Sequence, residues 1–69
     1  MRGSLEGLLR RRPYTVRWVE GTGRWRGAAE WRIEMPGVPP ILFPAAHDDS
    51  ETKVRTMAEQ ILALVLPED

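Results

Sequence analysis

The sequence predicts an α+β fold: a three-stranded antiparallel β-meander with one long C-terminal helix packed on one face, and a short helix or arm at the N-terminal end. Three observations carry this. Residues 14–20 and 29–35 alternate apolar and polar side chains with the period of two that a half-buried strand shows. Val54, Met57, Ala58, Ile61, Leu62, Leu64 and Val65 follow helical spacing. Between the two patterns, Pro36-Gly37-Val38-Pro39-Pro40 fixes three φ angles and removes three donors, as a rigid turn does.

Each element follows in order. Leu5, Leu8 and Leu9 sit at i, i+3 and i+4, which reads as one or two helical turns stopped by Pro13; a helix so short is marginal alone. Residues 1–12 are therefore expected to be an arm or a short docked helix, with Arg10-Arg11-Arg12 a solvated end and no structural weight given to Met1–Ser4. Residues 13–69 are expected to be a single βββα domain. In its first strand Tyr14, Val16 and Trp18 face one way and Thr15, Arg17 and Val19 the other. Gly21-Thr22-Gly23 breaks it and reads as a hairpin turn; it lacks the Lys and following helix of a phosphate loop. The second strand has its clearest part at 29–35, with Ala29, Trp31, Ile33 and Met35 on the core side; Gly27 and Ala28 suit a bulge, and Trp25 is left unplaced. Ile41–Ala45 is a short third strand, and Pro44 puts it at a sheet edge. Asp48-Asp49-Ser50 then starts a helix, capped by Ser50 or Asp49, that runs from Ser50 to Leu66, about 25 Å long, and Pro67 stops it.

Composition removes whole classes of chemistry. The 69 residues include no cysteine and one histidine, His47. Thiol catalysis, disulfides, Cys-based zinc sites and His-pair metal sites are excluded. Asp48 and Asp49 are adjacent, so their side chains diverge and do not form the convergent pair that acid–base catalysis needs. No enzyme activity, cofactor or metal is expected. The longest apolar run is Ile61–Leu66, too short to span a bilayer, and no apolar segment resembling a secretory signal follows the basic start, so a cytoplasmic protein is expected.

Net charge is zero but unevenly spread. Residues 1–32 hold eight Arg and three Glu, net +5, and residues 33–69 hold two basic and seven acidic residues, net −5. A dedicated nucleic-acid domain is usually strongly basic, so the split points to halves that satisfy each other, within the fold or across an interface. The uncovered sheet face would carry Thr15, Arg17, Glu30, Arg32 and Glu34; of these, Arg17, Glu30, Arg32 and Glu34 are the candidate partner-binding residues. Because Pro44 blunts the third strand, the first strand, with Tyr14, Val16 and Trp18, is the candidate edge for a two-fold homodimer.

The motif order resembles the HicB family of antitoxins, whose small domain has a partial RNase H-like fold. Tyr14-Thr15-Val16 matches the family's opening strand, and Pro36-Gly37-Val38-Pro39 resembles its Pro-Asp-Leu-Pro turn with Gly37 in place of Asp. Asp49-Ser50 is similar to the Asp-Thr helix cap, with Val54, Ala58 and Ile61 at the family's offsets from it. The resemblance covers residues 13–66 and implies a module that binds and blocks a partner protein, such as a small basic toxin. Two nucleic-acid alternatives share the element order: a βββα unit also resembles the arm-binding domain of tyrosine integrases, and with a first helix it resembles the double-stranded-RNA-binding domain. Arg17, Arg24, Arg26 and Arg32 would be the readers, interleaved with Glu20, Glu30 and Glu34.

Overall fold

Four strands and one helix make up the computed structural model, which describes residues 3–20 and 29–66. The order is β1 (Ser4–Leu9), β2 (Arg12–Val19), β3 (Glu30–Met35), β4 (Val38–Pro44) and α1 (Glu51–Val65). The sheet is a meander, β1-β2-β3-β4, and every neighbouring pair is antiparallel. The α+β class with a C-terminal helix stands. The sheet has four strands rather than three, because the segment expected to be helical is a strand. The expected turn at Gly21-Thr22-Gly23, the bulge at Gly27-Ala28 and Trp25 lie outside the described residues.

The N-terminal correction has a physical cause. Leu5, Leu8 and Leu9 also suit a strand, once Leu5, Gly7 and Leu9 are taken as one face and Leu8 as the other. Leu5 is buried against the core, Leu9 packs against it, and Leu8 is 69% exposed. Six residues of β1 pair with β2, from Ser4↔Arg17 to Leu9↔Arg12, and this ladder outweighs an isolated turn of helix. Residues 4–9 thus belong to the sheet and do not form an arm. The connection is a two-residue turn, Arg10-Arg11, with φ of 52° and 66°. Two left-handed residues in a row are what a type I′ hairpin turn requires, a place normally taken by Asn and Gly.

The Pro-rich segment also differs from expectation. Only Pro36 and Gly37 form the turn; Val38 pairs with Met35, and Pro39 and Pro40 are already in β4. Pro36 before a Gly37 at φ 83° is the type II pattern. A register shift between Ile33 and Met35 absorbs the prolines. β4 lies at a sheet edge, where Pro39, Pro40 and Pro44 sacrifice no interior ladder bond.

One face of the sheet and one stripe of the helix make the core. Leu5, Tyr14, Val16, Trp31, Ile33, Met35 and Phe43 come from the sheet, and Val54, Ala58 and Leu62 from the helix, with Leu66 just beyond it. Trp18 and Trp31 lie opposite each other on β2 and β3, their rings edge to face with centroids 5.1 Å apart. Ser50 caps α1, its hydroxyl accepting the Lys53 N–H at 3.1 Å, and Glu51 sits in the first turn. Asp49, read as a cap, is instead buried: its Oδ2 accepts the Trp31 indole N–H at 2.7 Å and the Ala46 N–H at 2.8 Å.

Candidate functional site

Among the described residues the helix covers one face of the sheet and no other element lies over the second face, so the residues alternating with the core residues define the candidate surface. Their cross-strand register arranges them in rows. Val19, Glu30 and Pro44 form the first; Ser4, Arg17, Arg32 and Leu42 the second; Glu6, Thr15 and Glu34 the third; Leu8 and Pro13 begin a fourth. Arg17 and Arg32 therefore face each other directly, a like-charge pairing that is unfavourable by itself. Glu34 resolves it. Its Oε1 accepts from Arg17 Nη2 at 2.5 Å, and its Oε2 lies 3.5 Å from Arg32 Nε. One carboxylate between two guanidinium groups leaves the triad with a net positive charge. All three side chains are between one third and somewhat over half exposed, so each pair contributes only about 0–1 kcal/mol to stability. The network specifies direction and charge more than it stabilises the fold.

Three of the four sequence-predicted partner-binding residues, Arg17, Arg32 and Glu34, thus come together. Glu30 lies on the same face but is only 3% exposed, and its Oε1 has no hydrogen-bond partner among the described residues. It is not a surface contact in this conformation.

Next to the triad the open face forms a groove of about 480 Å³. Glu6, Pro13, Thr15, Glu34, Pro36 and Pro40 are among the residues that line it. The volume lies within the range of sites that hold a side chain or a small molecule. Three prolines, with Met35 and Val38, give it an apolar lining, and its charged groups are the carboxylates of Glu6 and Glu34.

The candidate dimer edge is corrected by the topology. β2 has β1 on one side and β3 on the other, so Tyr14, Val16 and Trp18 are in the sheet interior, with Tyr14 and Val16 buried. The free edges belong to β1 and β4. Trp18 N–H donates to the Gly3 carbonyl at 2.8 Å, so Gly3, Leu5, Gly7 and Leu9 turn their backbone groups toward β2 while Ser4, Glu6 and Leu8 turn theirs outward. One of those outward groups is already covered: Arg55 Nη1 donates to the Glu6 carbonyl at 2.8 Å.

That contact belongs to a cluster which sequence reasoning missed. Tyr14 donates its hydroxyl proton to Glu59 Oε2 at 2.6 Å, beside Arg55, which also pairs with Glu51 at 3.4 Å. Burial, then the hydrogen bond and charge of Glu59, push the Tyr14 phenol above its ordinary value, with Arg55 opposing. The Arg55 guanidinium is held above its ordinary value chiefly by its hydrogen bond with Tyr14. A phenol that keeps its proton at neutral pH is a structural donor here rather than a nucleophile or base. Gly7 makes the cluster possible, since a Cβ there would lie 2.5 Å from the Tyr14 hydroxyl and 2.6 Å from Arg55 Nη1. The visible signal was a glycine amid leucines, which marks close approach of another group.

Asp49 forms a second unforeseen cluster, adding Lys53 Nζ at 3.2 Å to its two hydrogen bonds. Burial pushes its carboxyl up, but the Ala46 N–H, the Trp31 indole and Lys53 together hold it below the ordinary carboxylate value. His47 is exposed in the segment between β4 and α1. Among the described residues no group of three or more His, Asp or Glu is placed to hold a metal ion. Among them, too, no helix is long and apolar enough to cross a membrane.

No family model, curated protein or solved structure matches this chain.

Proposed function

We propose that this chain is a non-catalytic protein-binding module whose open sheet face recognises a partner protein. The observation that supports it most is the pairing, on the sheet face away from the helix, of a directional charge triad, Arg17–Glu34–Arg32, with a groove carrying Glu6 and Glu34. Such a face offers both signs of charge at fixed spacing, which gives specificity and orientation to a protein contact. A phosphate backbone would favour a surface of one sign. Leu8 and Leu42, both exposed on this face, add apolar area to what a partner would cover.

A specific form of the proposal is HicB-like: an antitoxin or orphan antitoxin-like protein that binds and blocks a small basic toxin, in the cytoplasm. The succession β2, β3, β4, α1, with Tyr14-Thr15-Val16 opening it and Ser50 capping the helix, supports that form. The carboxylates of the groove suit a basic partner. Titration with duplex DNA and duplex RNA at about 150 mM salt tests the proposal against its nucleic-acid alternative. Binding no tighter than the micromolar range typical of non-specific contacts is expected. Sub-micromolar binding with a steep salt dependence, weakened by Arg17→Ala and Arg32→Ala, overturns it.

A further inference from the structure

We propose that β1 is an exchangeable strand: two copies of this chain form a dimer in which the β1 of each pairs with the β2 of the other, hinged at Arg10-Arg11.

The hinge is the first observation. Both central residues of the β1–β2 turn have positive φ, 52° and 66°, and both are arginines. Left-handed backbone is costly for any residue with a Cβ, and a type I′ turn without Asn or Gly incurs that cost twice. Opening the turn to an extended conformation removes it. Short hinges under strain are where strand exchange arises.

The second observation is what β1 leaves and regains. It is an end strand, held by one ladder with β2, by the packing of Leu5 and Leu9, and by Arg55 on the Glu6 carbonyl. Each of these contacts re-forms unchanged against the second copy, because exchange preserves the register from Ser4↔Arg17 to Leu9↔Arg12. The occupant is thereby fixed: the β2 edge that β1 covers is complementary to β1 itself. The opposite edge, β4, is blunted by Pro39, Pro40 and Pro44 and does not compete.

The third observation sets the regulation. In the exchanged dimer Arg10, Arg11 and Arg12 of the two copies run past each other at the two-fold axis. The like charge brought together there opposes association at low ionic strength, and salt relieves it. Dimerisation should therefore strengthen as salt rises, the reverse of an interface held by ion pairs or of nucleic-acid binding.

The test uses light scattering and inter-chain disulfide trapping on the full chain, which has no cysteine of its own. Ser4 and Arg17 face each other in a non-hydrogen-bonded pair, close enough for a disulfide. A Ser4→Cys chain mixed with an Arg17→Cys chain should give the mixed disulfide under mild oxidation, in proportion to the dimer seen by scattering. Both should increase from about 50 mM to 500 mM salt. Arg10→Asn with Arg11→Gly supplies the residues the closed turn prefers. At about 500 mM salt, where repulsion between the arginines is screened, it should raise the dimer dissociation constant at least about a hundredfold, one tenfold step or more for each of the two hinges, while the monomer becomes harder to unfold. A chain that stays monomeric into the millimolar range overturns the proposal. So does a dimer that forms no mixed disulfide, or one unaffected by the Asn-Gly turn.

Discussion

Replacing Asp49 by alanine removes the acceptor for two donors at once. The Trp31 indole belongs to a side chain with no exposed surface, and the Ala46 N–H shares the same carboxylate oxygen. A buried donor left without its acceptor costs about 1–3 kcal/mol. The indole incurs this in full and the half-buried amide in part, so Asp49→Ala is expected to cost about 3 kcal/mol. A domain of this length has about 3–10 kcal/mol in total, at 0.05–0.15 kcal/mol per residue, so the variant should be largely or marginally folded at room temperature. Asp48→Ala, one residue away and exposed, should cost under about 0.5 kcal/mol. Urea denaturation followed by far-ultraviolet circular dichroism separates the two. Acid titration adds a second readout. The Asp49 carboxyl is held below its unfolded value of about 3.9. Its contribution is therefore fully present above that value and is lost as pH falls through the folded one. The stability difference between the wild type and Asp49→Asn should accordingly narrow below about pH 4. Equal stability of the Asp48 and Asp49 variants at pH 7 would refute the role assigned to this carboxylate.

Gly7→Ala places a Cβ within 2.6 Å of the Tyr14 ring and Arg55, and should cost about 1–3 kcal/mol by overpacking; adding Tyr14→Phe should recover part of it in a denaturation cycle. Because the Tyr14 phenol is raised, its contribution is present below the unfolded value of about 10 and lost as pH rises through the folded one. Tyr14→Phe should flatten the alkaline limb of the stability profile. Leu62→Ala, at a fully buried helix position, should cost about 2–5 kcal/mol, and Ile61→Ala, only partly buried, less. Arg32→Ala, on the open face, should cost under about 1 kcal/mol by the same measurement.

What the sequence made legible follows from where a periodic pattern had one interpretation. Trp31, Ile33 and Met35 alternate with charged residues, and a strand is the simplest structure that buries one set and wets the other. The same alternation puts Arg17, Arg32 and Glu34 on one face. β1 departs from the expected helix because Leu5 and Leu9 share a face at either period, Leu8 joins them only at the helical one, and the choice depends on a ladder with residues 12–17 that no local signal announces. The turn at Arg10-Arg11 was illegible for a related reason: positive φ on arginine is imposed by the strands it joins, against its own preference. Once β1 took its place, the expected edge at Tyr14, Val16 and Trp18 became interior. Asp49 looked like a cap because it stands beside Ser50, and only the packing of Trp31 beneath it shows the other use of its carboxylate. Glu30 followed the alternation correctly in facing away from the helix, yet burial there depends on tertiary packing and not on period.

The central claim is that the open face binds a protein. The most direct measurement is affinity capture from nuclease-treated extract of the source cells, with three immobilised forms compared by quantitative mass spectrometry: the wild type, Arg17→Glu with Arg32→Glu, and Gln60→Ala on the exposed side of α1. The account predicts a protein retained in near-stoichiometric amount by the wild type and by Gln60→Ala, and lost from the double variant while that variant stays folded. Equal retention by all three, or a partner retained only from extract not treated with nuclease, would contradict it.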